Sequence, residues 1–295
     1  MENAEFEEKD FEGALYHSLA AGFPHLWTPG QVFEHHFGID AALHTLNEFF
    51  LRAVASYPLK GVVLRDLRWG YVARRVGRRP RMPSFRANAL IQAKRPQHLK
   101  GAYGNLIPHG ITGQYWRFAV VKHQQRLLER LYRKIKHRAV VTYACPSFHL
   151  WDDLDTHLSN GTIAQHCSYV SIAAMSGHDH WCFDAPGGAG VALSEPEKVQ
   201  GSPLAEQFAA VAGTLRDSTT SSAAHALAEF GTDIVSATTE ETENGNKLAA
   251  ALGRVLLNTG DGPAETVAAR HFVNASAFAT YTACDWFVVG KADSA

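Results

Sequence analysis

The chain has 295 residues, of which 46% are hydrophobic and 19% charged. That balance excludes a disordered or low-complexity polymer and allows one large domain or two ordinary ones. No window of about 18 uninterrupted apolar residues is present, which excludes an apolar spanning helix, and the acidic start "MENAEFEEKDFEGAL" lacks the basic-then-apolar layout of a secretory leader. The reading is a cytoplasmic protein with no membrane partner, whose Cys145, Cys167, Cys182 and Cys284 stay as thiols.

The net charge of −1 conceals an asymmetry. Residues 60–100 hold twelve Lys or Arg against one acid, Asp66, whereas residues 195–295 hold thirteen Asp or Glu against six Lys or Arg. Clustered basic groups are the footprint of a polyanion such as nucleic acid. The competing reading is a solvated, merely Arg-rich loop.

Taken in chain order, "EFEEKDFEGALYHSLA" spaces Phe11, Leu15 and Leu19 as a helix and sets Glu8 and Glu12 four apart on one face. "AGFPHLWTPG" breaks it, and "QVFEHHFGIDAAL" follows as an extended segment. "LNEFFLRAVA" fits helix or strand. "RWGYVARRVGRRPRMPSFR" reads as a loop or hairpin. Asn88 to Ala93 then form a short buried strand in which Gln92 and Lys94 share one face while Ile91 and Ala93 share the other. "QYWRFAV" is a strand, and "KHQQRLLERLYRKIKH" is a helix with the stripe Leu128, Leu131 and Ile135. "AVVTYAC" is a buried strand closed by Pro146. Residues 162–184 are strand-rich, "DAPGGAGVALSEPEKVQGSP" is a long loop, and the remainder is Ala-rich and helical to the end.

This order predicts an α/β fold around one mixed sheet. The expected division is a core at 1–190, with an Arg-rich insertion at about 60–87, and an acidic, mainly helical region at 191–295.

A buried lysine needs an anion opposite it, either a carboxylate or a phosphate. Metal-dependent phosphodiester cleavage uses oxygen ligands for a hard cation and an ammonium beside the reacting phosphate. Asp40 in "GIDAAL" supplies a carboxylate, Gln92 an amide oxygen and Lys94 the ammonium. A further carboxylate comes from Glu12, Glu8 or Glu34, and Asp66 rivals Asp40 as the metal aspartate. The structural alternative for Asp40, Gln92 and Lys94 is an ion pair with a hydrogen-bonding neighbour. For Glu8 and Glu12 it is an exposed helix face.

At "EFEEKDFEGAL", "GIDAAL", "LIQAKRP" and "HQQRLLERL" before "AVVTYACP", the chain resembles the PD-(D/E)XK nuclease superfamily, in its Mrr-like branch with Gln in the third motif. The resemblance covers roughly residues 5–150. It implies a restriction-endonuclease-like, four-stranded mixed sheet flanked by helices, a site role for Gln124 or Gln125, and Mg²⁺- or Mn²⁺-dependent hydrolysis of DNA or, less often, RNA. By analogy it implies restriction or antiviral defence in a prokaryote, with a defence partner or a second copy on the acidic region. About fifty residues separate Asp40 from Gln92, longer than the family's usual hairpin. Arg65, Arg68, Arg74, Arg75, Arg78, Arg79, Arg81, Arg86 and Arg95 are then expected to grip phosphates, with Trp69, Tyr71, Tyr115 and Trp116 as candidates for base stacking and core packing as the competing reading for Tyr115 and Trp116. The rival reading is a nuclease-fold binding or sensor module without chemistry, because the third motif lacks an acid. An RNase on the same core is a third.

His166, Cys167, His178, His180 and Cys182 are compatible with zinc but fit no closed finger spacing, so packed side chains are the favoured reading. Gly187, Gly188 and Gly190 make a turn and not a dinucleotide fingerprint.

Overall fold

The computed structural model describes residues 1–22, 26–27, 85–187, 189–216, 223–247, 249–250 and 264–290. In chain order the elements are β1 (Glu2–Asn3), α1 (Glu8–Gly22), β2 (Leu26–Trp27), β3 (Phe85–Ala93), β4 (Gln97–Leu99), β5 (Tyr115–Ala119), α2 (Lys122–Ile135), β6 (Ala139–Pro146), α3 (Trp151–Ser159), β7 (Cys167–Ser171), β8 (His180–Phe183), β9 (Gly190–Leu193), β10 (Glu197–Val199), α4 (Leu204–Arg216), α5 (Ala223–Glu243), α6 (Ala264–Tyr281) and β11 (Asp285–Gly290). The fold is mixed α/β. No helix among the described residues is long and apolar enough to cross a membrane.

Two sheets replace the single one expected. One runs β1-β4-β5-β8-β9-β10 and is antiparallel throughout. The other runs β2-β11-β3-β6-β7, with β3 parallel to β6 and the other neighbours antiparallel. The loop expected over 184–203 contains β9 and β10. The segment expected to be helical to the end closes instead with β11, inserted between β2 and β3. The residues after 190 therefore do not stand apart from the sheet.

The alternation read in "NALIQA" is realised. Leu90 enters one core, with Leu127, Leu128 and Leu131 of α2, Phe230 and Ile234 of α5 and Phe278 of α6. Ala89, Ile91 and Ala93 enter the other, with Phe11, Leu15 and Leu19 of α1, Leu154 of α3 and Leu204 and Phe208 of α4. Helices thus cover both faces of the five-stranded sheet. A smaller core of Leu99, Leu106, Ile111 and Tyr115 lies against the six-stranded sheet. Gly231 of α5 permits a close helix crossing, since a Cβ there lies 2.3 Å from His271 Nδ1 of α6.

The basic stripe of α2 finds its counterions within the chain. Glu241 of α5 is buried and accepts from Arg130 Nε at 2.8 Å and from Arg126 Nε at 3.4 Å, Lys134 pairs with Glu240, and Arg138 lies 2.6 Å from Asp233. Part of the acidic excess after residue 195 is spent on this helix.

Candidate active site

α1 opens with Glu8 and Asp10 in its first turn, where negative charge suits the helix dipole. Burial of Phe11, Ala14 and Leu15 leaves Glu8, Glu12 and Tyr16 half-buried on its flank. Lys9 donates to both oxygens of Glu12, at 2.5 and 2.6 Å.

β11 reaches this flank from the far end of the chain. α6 terminates with Ala283 in the left-handed region at φ 51°, and the Cys284 N–H donates to the Ala279 carbonyl at 2.9 Å. The chain then enters β11 with Asp285 directly opposite Ile91 of β3. The Asp285 carboxyl hydrogen-bonds with Glu12, and burial, followed by the charge of Glu12, pushes its pKa up to about 7. Glu12, Asp285, Lys9, Gly13, Tyr16, Trp286 and Phe287 line a cavity of about 310 Å³.

Lys94 follows the last residue of β3, its backbone N–H held by the Ala144 carbonyl at 2.8 Å. The side chain is buried and its Nζ lies 5.6 Å from the centre of the Tyr143 ring. Burial pulls its pKa down, and the negative charge of Glu8 pushes in the opposite direction. Among the described residues it makes no ion pair within 4.0 Å and no side-chain hydrogen bond. Cys145 and Cys284 share these surroundings, and burial raises both thiols, so neither serves as a thiolate nucleophile.

Gln92 points to the α2 and α6 side. Its Nε2 donates to Gln124 Oε1 at 2.9 Å and to the Thr282 carbonyl at 2.8 Å, while its buried Oε1 has no hydrogen-bond partner among the described residues. Gln124 is therefore the helix glutamine joined to Gln92. Gln125 is turned into the core, donating to Glu129 and the Ile172 carbonyl and accepting from the Tyr143 hydroxyl. It steadies the ring beside Lys94.

No family model, curated protein or solved structure matches this chain.

Of the expected site residues, Gln92 and Gln124 meet on the α2 and α6 side of β3, Lys94 follows β3 and feels the charge of Glu8, and Glu12 on α1 faces Asp285. Asp40, Glu34 and Asp66 lie outside the described residues, as do Arg65, Arg68, Arg74, Arg75, Arg78, Arg79 and Arg81. Arg86 lies within β3. Arg95 donates to both Glu7 oxygens at 2.9 Å and also to the Ala4 carbonyl, so it ties the N-terminal segment in place. Sequence reasoning missed Asp285 and Lys9. The signal for Asp285 was an aspartate ahead of the aromatic and β-branched run "WFVV".

The histidine and cysteine segment is distributed among separate contacts. Cys167 Sγ donates to the Ile163 carbonyl, His166 stacks on His157 with centroids 3.8 Å apart, and His178 lies 3.5 Å from Glu197.

Proposed function

We propose that the chain is a metal-dependent nuclease whose centre is Glu12, Asp285 and Lys94, supported by Glu8, Gln92 and Gln124. One observation carries the reading: Glu12 of α1 and Asp285 of β11 face each other on one cavity, and the strand paired with β11 leads into Lys94, a buried ammonium with no carboxylate within 4.0 Å among the described residues. Burial and the adjacent negative charge of Glu12 make Asp285 hold its proton more tightly than an ordinary carboxyl. A divalent cation is the natural replacement for that proton. The donor chemistry fits Mg²⁺ or Mn²⁺, since both groups are hard oxygen ligands, and Lys9 already rests on Glu12 as a cationic stand-in. Lys9 is largely exposed and free to swing away.

A metal bound by Glu12 and Asp285 would acidify a water and offset phosphate charge. The chain's own contributions are separate. Lys94 donates to a phosphate oxygen or to the attacking water in a site of low polarity, where such a contact is strongest. Gln92, fixed by Gln124 and Thr282, holds the start of β11 against β3. The arrangement supports the resemblance to the PD-(D/E)XK superfamily with one difference: the aspartate strand next to the Gln-Lys strand comes from the C-terminus.

The test is cleavage of single- and double-stranded DNA and RNA with Mg²⁺ and Mn²⁺. Lys94→Met and Asp285→Asn are expected to lower the rate by about 10²–10³-fold each while nucleic-acid binding persists. Binding without cleavage in the unmodified chain favours the sensor reading, and cleavage indifferent to both substitutions sinks the assignment.

A further inference from the structure

Outside the Lys94 cluster, one group of three metal-ligating side chains stands out among the described residues: Glu2, His98 and His149, whose candidate ligand atoms all lie within 4.8 Å of one another. The fold brings them together from three places. Glu2 of β1 is the direct cross-strand partner of His98 of β4. His149 follows β6, in the other sheet, and its carbonyl accepts the Glu5 N–H at 2.8 Å. The two imidazoles stack with centroids 4.0 Å apart. Glu2 Oε2 lies 3.6 Å from His98 Nδ1 and 3.8 Å from His149 Nε2.

We propose that Glu2, His98 and His149 form a binding site for a zinc-class divalent ion, with solvent as the fourth ligand, that fastens the N-terminal strand to both sheets. The spacing suits an ion placed between the three atoms. Zinc–ligand bonds of about 2.0–2.1 Å in a tetrahedron set donors about 3.3 Å apart, so the two carboxylate–imidazole separations need to contract by only about 0.3–0.5 Å, and the two ring nitrogens, within 4.8 Å of each other, must turn toward the shared ion. His98 Nδ1 is buried and has no hydrogen-bond partner among the described residues, and its lone pair would be met by a bound cation. Lys100 Nζ holds Glu2 Oε1 at 2.9 Å, which leaves Oε2 turned to the imidazoles. Two nitrogen donors and one carboxylate select zinc-class ions over Mg²⁺. Glu2 is about half exposed, which gives the fourth ligand access from solvent.

The site shares no residue with the proposed nuclease centre, so the two are separable. Full-length chain is stripped with chelator and titrated with Zn²⁺, and with Co²⁺ as a spectroscopic probe. The expected result is one equivalent bound, a tetrahedral Co²⁺ absorption band, and a Tm raised by roughly 5–10 °C at a hundredfold excess over Kd. His149→Ala and Glu2→Gln, both at partly exposed positions, should each weaken binding by about tenfold or more. Their Tm without metal and their circular dichroism report whether the fold is kept. Asp285→Asn should leave this binding unchanged. The proposal is overturned if Zn²⁺ does not bind, if either substitution of the cluster leaves affinity intact in a folded chain, or if Asp285→Asn is the change that removes it.

Discussion

Asp285 sits in a partly buried place beside Glu12 that raises its pKa, and the proton it retains has a thermodynamic consequence. The folded Asp285 carboxyl has a pKa of about 7, against an ordinary value of 3.8. Between those values the folded chain binds a proton that the unfolded chain has released. Stability therefore falls as pH rises from about 4 to about 7 through this group. Asp285→Asn removes the titration, so its Tm should change less across pH 5–8 and exceed that of the unmodified chain at pH 8. Mg²⁺ or Mn²⁺ at pH 8 should recover stability in the unmodified chain and not in the variant. Parallel melts at four pH values decide this, and equal slopes for both chains would remove the account of a raised Asp285 pKa. Gln92, Lys94 and Glu12 were legible in the sequence because strand alternation and helical i,i+4 spacing are local rules. Asp285 was not, because its partner Ile91 is remote in sequence and no local period encodes which strands pair.

At the level of elements, α2 was readable from its leucine stripe, and its bounds of 122–135 fall within the expected segment. What the pattern could not convey is the destination of its basic side. Arg126, Arg130 and Lys134 recur along that side, Arg138 follows just beyond the helix, and together they meet Glu241, Glu240 and Asp233 of α5 as an ion-pair ladder. Glu241 is its innermost member, and removing it leaves the mostly buried Arg130 without its main anion. Glu241→Ala is expected to destabilise the fold by about 3 kcal/mol, as breaking a buried pair does. Glu240→Ala, at a more exposed pair, should cost about 1 kcal/mol or less. Denaturant melts of the two variants compare them directly, and equal losses would show that the ladder's depth carries no weight. The short strands β9 and β10 escaped detection for a different reason. At four and three residues they are too brief to show alternation, and Gly and Pro around them read as turns.

For the whole molecule the decisive element is β11, the last six described residues. An Ala-rich composition suggested helix to the end, and the average hid a strand whose alternate side chains serve opposite cores. Trp286 and Val288 pack with the α2, α5 and α6 helices, and Phe287 packs with α1, α3 and α4. Phe287 also stacks on Tyr16 with ring centroids 6.0 Å apart, next to the cavity that Glu12 and Asp285 line. Both layers and the proposed centre thus depend on one strand at the far end of the chain. Such long-range pairing cannot form until loop closure has been achieved, so β11 docking is expected late in folding. Truncation after Tyr281 should abolish cooperative unfolding and the proposed nuclease activity together, because it opens both cores and removes Asp285. Phe287→Ala is the milder probe: loss of a buried aromatic costs about 3–5 kcal/mol and disturbs α1 through Tyr16. Hydrogen exchange separates this account from a merely local one. Amides of β3 and β11 should lose protection together in Phe287→Ala, whereas protection retained in β3 would mean that the sheet stands without its C-terminal strand.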